Sequence, residues 1–203
     1  MINKNITILN YGSGNLLSVT RAFEHCGARV NVSNSVKDVI NAERLVIPGV
    51  GAFRSGIEAI KQLDLYEALL NYYSCDRPLL GICLGMQLLS SESSEFGKNQ
   101  GLNLIPGRVK KINTKSINNT NLKIPHIGWA EIEFVYSKEK NHYYMCHSYE
   151  FIPNNSQHIF GFCIYGGHKI VAAVKKDNVL GYQFHPEKSG NNGLKLLEEF
   201  MKI

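Results

Sequence analysis

No stretch of this 203-residue chain is apolar for long enough to cross a bilayer. Met1-Ile2-Asn3-Lys4-Asn5 leads into strand-like sequence without the apolar core of a signal peptide, so a cytoplasmic location is expected and a membrane partner is not. Cysteine is scarce and odd in number, five residues with no C-x-x-C spacing. That pattern supports neither a disulfide framework nor a zinc site, and no metal or other cofactor is expected. A strong excess of one charge sign is also missing: 22 lysines and arginines against 17 aspartates and glutamates leave a net +5, and the basic residues are dispersed. Only a loose group (Arg108, Lys111, Lys115, Lys123) gathers, without interleaved aromatics, so a solvated basic face is expected rather than nucleic-acid binding. Internal repeats, low-complexity tracts and long polar linkers are absent as well. With 44% hydrophobic residues, the length suffices for one substantial core, and a single domain over 1–203 is expected.

What is present alternates. Ile6 to Leu9, Arg29 to Val32 and Leu45 to Ile47 read as strands. Between them, Leu16, Val19 and Phe23 have helical spacing up to Gly27, and Ser35 is placed to cap a short helix. Helical stretches over Ile57 to Leu63 and Leu65 to Tyr73 precede an apolar strand that ends at Cys83. Such alternation predicts an α/β fold with a parallel sheet between helices, whose ligands gather beyond the carboxyl ends of the strands. The second half is richer in strands: Arg108 to Ile112, Glu131 to Val135, Tyr143 to Cys146, Ile159 to Ile164, Ile170 to Val174 and Val179 to Phe184. Asn192 to Ile203 closes as an amphipathic helix, and the sheet is therefore expected to be mixed. Ser90 to Ser94 reads as a loop and Asn113 to Asn121 as a surface excursion.

Leu79-Leu80-Gly81-Ile82-Cys83-Leu84-Gly85-Met86-Gln87 places a cysteine between glycines where an apolar run meets a helical pattern. This is the layout of a nucleophile on a tight strand-to-helix turn, with the helix start favouring thiolate. Far downstream, Gly181-Tyr182-Gln183-Phe184-His185-Pro186-Glu187 offers an imidazole and a carboxylate. Most free cysteines only pack, and Cys26, Cys75, Cys146 and Cys163 are read that way. His25, His126, His142, His158 and His168 are likewise read as structural or exposed. Tyr11-Gly12-Ser13-Gly14-Asn15 has neither G-x-G-x-x-G spacing nor a Walker lysine, so it is a weak nucleotide signal. Pro48-Gly49-Val50-Gly51-Ala52-Phe53 says more, because glycines after a strand let a peptide N–H turn toward a ligand, where it can stabilise an oxyanion.

Together G-I-C-L-G-M-Q, P-G-V-G-A-F and G-Y-Q-F-H-P-E-K-S-G resemble the class I (triad) glutamine amidotransferases over essentially the whole chain. Y-G-S-G-N-L-L-S-V and P-H-I-G-W are similar, within that family, to the glutaminase subunits of imidazole glycerol phosphate synthase in histidine biosynthesis. The resemblance implies a three-layer fold with a largely parallel central sheet flanked by helices and further antiparallel strands in the C-terminal half. It implies that Cys83 attacks the side-chain amide of L-glutamine, that His185 protonates the leaving nitrogen and then activates water, and that Glu187 orients the imidazole. The N–H groups of Val50 and Leu84 would form the oxyanion hole, and Gly51, Gln87, Glu95, His147, Ser148 and Tyr149 would bind substrate. It further implies a heterodimer with a (β/α)₈ barrel cyclase that uses the ammonia, docked over Asn15, Ser18, Trp129, Tyr144 and Lys188.

Read from their residue types alone, Glu95 is a solvated loop carboxylate and Trp129 either a rim anchor or a core residue. Two departures from the family pattern are Ala130 after P-H-I-G-W, where an asparagine is usual, and Tyr144-Met145-Cys146 before His147. They leave open a paralogous subunit that supplies ammonia for amidination of a surface-polysaccharide sugar precursor. A stand-alone cysteine hydrolase is the alternative from another class.

Overall fold

Ile6 and Ile8 pack on one face of the first strand and Leu9 on the other, so the strand is covered on both sides and even Thr7 is buried. The computed structural model describes residues 4–137 and 140–203; the Met1-Ile2-Asn3 part of the leader reading lies outside them. The first half runs β1 (Asn5–Leu9), α1 (Leu16–His25), β2 (Arg29–Ser33), α2 (Val36–Asn41), β3 (Leu45–Ile47), α3 (Phe53–Gln62), α4 (Leu65–Ser74), β4 (Leu79–Ile82) and α5 (Leu84–Leu88). Then follow β5 (Glu92–Ser93), β6 (Asn99–Gln100), β7 (Gly107–Lys111), β8 (His126–Phe134), β9 (Lys140–His147), β10 (Tyr149–Pro153), β11 (Ile159–Tyr165), β12 (His168–Lys176), β13 (Val179–Tyr182) and α6 (Gly190–Phe200).

Among the described residues, nine strands form one sheet in the order β2-β1-β3-β4-β13-β12-β11-β8-β9. From β2 to β13 every pairing is parallel, and from β13 to β9 every pairing is antiparallel. The mixed sheet expected from the sequence thus divides at β13. One face packs against Val39, Phe53, Ile57, Ile60, Leu69 and Tyr72 of α2, α3 and α4. The other packs against Val19, Ala22 and Phe23 of α1 and Leu197 and Phe200 of α6, giving three layers. No helix among the described residues is long and apolar enough to cross a membrane.

A second sheet, β10-β7-β5-β6, corrects the reading of Ser90 to Ser94 as loop. Glu92 and Ser93 pair with Arg108 and Val109 on one side and with Gln100 and Asn99 on the other. Strands of two residues are too short to show a period. Ser35 sits at the start of α2 but makes no side-chain cap; its own N–H donates to Ser33 Oγ at 3.0 Å. Two cysteines read as packing are exposed, Cys75 and Cys146. Cys75 closes the end of α4, and Cys146 points outward between buried Met145 and His147, as strand alternation requires.

Candidate active site

Strands β4 and β13 lie side by side and parallel, with Ile82 opposite Tyr182, so Cys83 and the residues after Tyr182 leave the sheet together. The Cys83 N–H donates to the Tyr182 carbonyl at 2.7 Å, which fixes this junction. Cys83 itself carries the left-handed backbone, with φ 54 and ψ −108. The flanking glycines supply space rather than unusual torsion. A Cβ on Gly85 would overlap the Ile47 carbonyl, and one on Gly81 would stand 2.7 Å from the Gly85 backbone. The strain therefore sits on the cysteine itself.

Beyond β13 the strand stops. Pro186 opens a single 3-10 turn, Pro186–Lys188, so the bend between His185 and Glu187 is fixed by proline rather than by continued strand. His185 Nδ1 lies 2.7 Å from Glu187 Oε1, and both side chains are almost fully buried. The other carboxylate oxygen, Oε2, has no hydrogen-bond partner among the described residues. Burial alone lowers the affinity of His185 for a proton. Hydrogen bonds with Cys83 and Glu187, and the charges of both, outweigh it and push the imidazole up to about 10. The same turn is tied to β9, where the His185 N–H donates to the Tyr144 carbonyl at 2.9 Å and the Tyr144 N–H donates to Ser189 Oγ at 3.0 Å.

These groups open onto a cleft of about 270 Å³. Its lining brings together Val50, Gly51, Leu84, Gln87, Glu95, His147, Ser148 and Tyr149 with Cys83 and His185, every residue the sequence assigned to oxyanion or substrate contacts. Gly51 adopts φ +98 with open space where a Cβ would stand. Glu95 is buried rather than solvated: its Oε2 accepts the Phe53 N–H at 2.7 Å. Since Ala52 offers α3 no side-chain cap, Glu95 supplies the missing acceptor from 42 residues away. Both hydrogens of the Gln87 amide are used internally, on the Tyr149 carbonyl at 3.1 Å and Gln183 Oε1 at 2.9 Å, leaving only its oxygen for a ligand. His147 donates from Nδ1 to the Tyr149 carbonyl at 2.8 Å and faces His126 Nδ1 at 3.3 Å. Burial, with the nearby His126 and His185, holds it down to about 4, against the Tyr149 hydrogen bond.

Both N–H groups assigned to the oxyanion hole are donated within the protein. Leu84 N–H bonds the Gly49 carbonyl at 3.3 Å, and Val50 N–H bonds Ser13 Oγ at 3.2 Å. The Gly49 carbonyl thus occupies the donor at the start of α5. Tyr11 supports the same segment through its hydroxyl, which donates to the Pro48 carbonyl at 2.7 Å.

Around the mouth, Trp129 is 57% exposed and meets Tyr144 edge to face, with ring centroids 6.2 Å apart. Lys188 Nζ stands 5.8 Å from the centroid of the Tyr144 ring. Of the five expected docking residues, Tyr144 and Lys188 line the cleft itself; Asn15 caps α1 by accepting the Ser18 N–H at 3.2 Å, and α1 packs against the 186–188 turn. Gln183 was missed by the sequence reading. It is fully buried, and its Nε2 lies 3.7 Å from Cys83 Sγ. The available signal was its position, a polar residue two before His185 in the run that reads as extended from Val179 to Phe184.

The family described as Glutamine amidotransferase class-I matches residues 7–203. The chain is 40% identical to "Imidazole glycerol phosphate synthase subunit HisH 1" of Legionella pneumophila (strain Lens), over 98% of this chain and 99% of that one. It is 38% identical to "Imidazole glycerol phosphate synthase hisHF, chloroplastic" of Arabidopsis thaliana, over 97% of this chain and 34% of that one. A solved structure described as "Crystal structure of glutamine amidotransferase" superposes with TM-score 0.76 at 15% identity, covering 98% of this chain and 99% of that one. The structure of PurLQS from Thermotoga maritima gives TM-score 0.73 at 15% identity, covering 98% of each. At such identity these two likenesses concern the fold alone.

Proposed function

The chain belongs to the class-I glutamine amidotransferases, and from that premise we propose that it is the glutaminase subunit of an imidazole glycerol phosphate synthase, using Cys83, His185 and Glu187. The observation that carries the reading is the His185 imidazole, bonded to buried Glu187 at 2.7 Å and opening onto the same cleft as Cys83. Cys83 Sγ attacks the side-chain amide carbon of L-glutamine, and His185 gives its proton to the departing nitrogen, leaving a thioester and ammonia. His185 then takes a proton from water as it attacks the thioester, releasing glutamate. Glu187 holds the imidazole and its charge in place. Gly51, Gln87, Glu95 and the 147–149 segment line the cleft that receives the amino acid, Glu95 pairing with its ammonium.

Ammonia set free in water is protonated and lost as a nucleophile, so a glutaminase of this kind serves a docked acceptor. The Arabidopsis relative, named hisHF and about three times as long, joins such a unit to further sequence in one chain. In our proposal the partner is a (β/α)₈ cyclase seated over Asn15, Ser18, Trp129, Tyr144 and Lys188, forming a heterodimer in the cytoplasm. With the Val50 and Leu84 N–H groups engaged, the oxyanion site is not assembled, which favours a partner-dependent glutaminase over a stand-alone cysteine hydrolase. Rotation of the Gly49 peptide on docking would free the Leu84 donor. Loss of one such donor typically slows turnover about 10²–10³-fold.

The test is synthesis by the complex with two nitrogen sources. Cys83→Ala abolishes synthesis from glutamine and spares synthesis from ammonium salts; retained use of glutamine would sink the nucleophile assignment. Ester hydrolysis without a partner and without response to glutamine would point to the hydrolase instead.

A further inference from the structure

Gln183 is buried behind the cleft, where a polar side chain is costly unless each of its groups has a partner. Its surroundings decide which way its amide faces. The Tyr149 carbonyl can only accept, so the Gln87 group 3.1 Å away from it must be the NH₂ end. That same NH₂ lies 2.9 Å from the Gln183 amide, which must therefore present its oxygen. The remaining end of Gln183, its NH₂, is left facing Cys83 Sγ at 3.7 Å. One main-chain carbonyl thus fixes the polarity of the whole chain: Tyr149 C=O, Gln87, Gln183, sulfur. The Tyr149 carbonyl is in turn held by the His147 N–H at 2.8 Å, and the Gln183 backbone by its bond to the Ala172 carbonyl at 2.9 Å.

A thiolate is a strong acceptor and cannot donate, whereas a thiol accepts only weakly and donates weakly, here toward the Cys146 carbonyl at 3.9 Å. A fixed donor at the sulfur therefore favours the anion and restricts where the sulfur points. We propose that Gln183 is a further catalytic residue of this site, a side-chain donor that holds the Cys83 sulfur anionic and aimed into the cleft, with Gln87 as the positioning residue that keeps its amide from flipping. This rests on the reading of Cys83 as nucleophile. Gln183 and His185, two residues apart after β13, then grip one sulfur with different duties. His185 exchanges protons with the reactants, while Gln183 keeps its own.

The experiment is the pH profile of Cys83 alkylation by iodoacetamide, read on the Cys83 peptide by mass spectrometry so that exposed Cys75 and Cys146 do not interfere. Gln183→Met removes the donor at similar length, and Gln183→Glu replaces it with an acceptor. Alkylation at neutral pH falls roughly fivefold or more in the first and further in the second, and the half-maximal pH rises by roughly one unit, the scale of one hydrogen bond to a charged group. An unchanged profile in either variant, with near-ultraviolet circular dichroism like the parent's, overturns the proposal. Should both variants fold poorly, the unsubstituted chain decides: the Gln183 side-chain amide proton must shift in NMR with the midpoint of Cys83 alkylation and lose that titration in Cys83→Ala. An amide proton indifferent to Cys83 overturns the proposal as well. Alkylation requires no glutamine turnover, so this result is independent of whether Cys83→Ala abolishes glutamine use, which tests the nucleophile itself.

Discussion

The Ser13 hydroxyl holds Val50 at both of its backbone polar groups, accepting its N–H at 3.2 Å and donating to its carbonyl. While this grip lasts, the Val50 N–H is unavailable to a tetrahedral intermediate. Ser13→Ala removes the grip without touching the cleft. Glutamate release in the absence of a partner should rise roughly fivefold, the value of about 1 kcal/mol of net hydrogen bonding. The rate with saturating partner should stay as it was. A partner-free rate equal to the parent's would show that Ser13 restrains nothing.

His185 holds its proton well into the alkaline range, so the acid form that the proposed reaction gives to the leaving nitrogen persists above neutrality and is lost as pH rises through about 10. Burial works against that proton, and the Glu187 carboxylate helps to keep it. Glu187→Gln retains the shape and removes the charge, so the loss begins at lower pH. The alkaline limb of kcat should move toward neutrality by about one unit or more, with little change in KM. An alkaline limb that stays put separates Glu187 from the imidazole's charge.

His147 has the opposite shift, down to about 4 from an ordinary 6.5. Between these values the unfolded chain binds a proton that the folded chain refuses, so stability falls as pH drops through 6.5 toward 4. Fully developed, the loss is about 3 kcal/mol. Urea unfolding across this range, compared with His147→Asn, isolates the contribution: the substituted chain is less stable at pH 7 but has a flatter acid slope. Parallel slopes would contradict the burial assigned to this ring.

Gly85 lies where α5 crosses the end of β3, and a single methyl there would overlap the Ile47 carbonyl. Neither partner is a flexible side-chain tip. Gly85→Ala should cost at least about 2 kcal/mol in urea unfolding, at the upper end of overpacking penalties. Gly51→Ala meets no atom within 4 Å but must adopt φ +98, so its cost is torsional and should be smaller. Reversal of that order would refute the steric account of the elbow.

The elements nearest the chemistry were legible because each carries a local signal. The apolar run into Cys83, the glycines around it and the proline after His185 all act within a few residues. What the sequence hid depends on distant partners. Glu95 reads as a loop carboxylate until the Phe53 N–H, 42 residues away, is seen to need it. Gln183 looks like a polar interruption in a strand until Gln87 and Cys83 surround it. Glu92 and Ser93 form a strand only because β7 and β6 flank them. The engagement of the Val50 and Leu84 N–H groups was hidden for another reason: glycine-rich backbone permits both peptide orientations, so residue identity alone does not choose one.

Strand β13 comes late in the sequence yet sits in the middle of the sheet, between β4 and β12. A ribosome-bound chain that has emerged only as far as β12 therefore carries its sulfur but lacks the strand that delivers His185 beside it. Its parallel and antiparallel halves have no shared member until that strand is inserted. With the roles proposed for Cys83 and His185, nucleophile and proton carrier meet in the same step that unites the sheet, and an unfinished chain has no means of cleaving an amide.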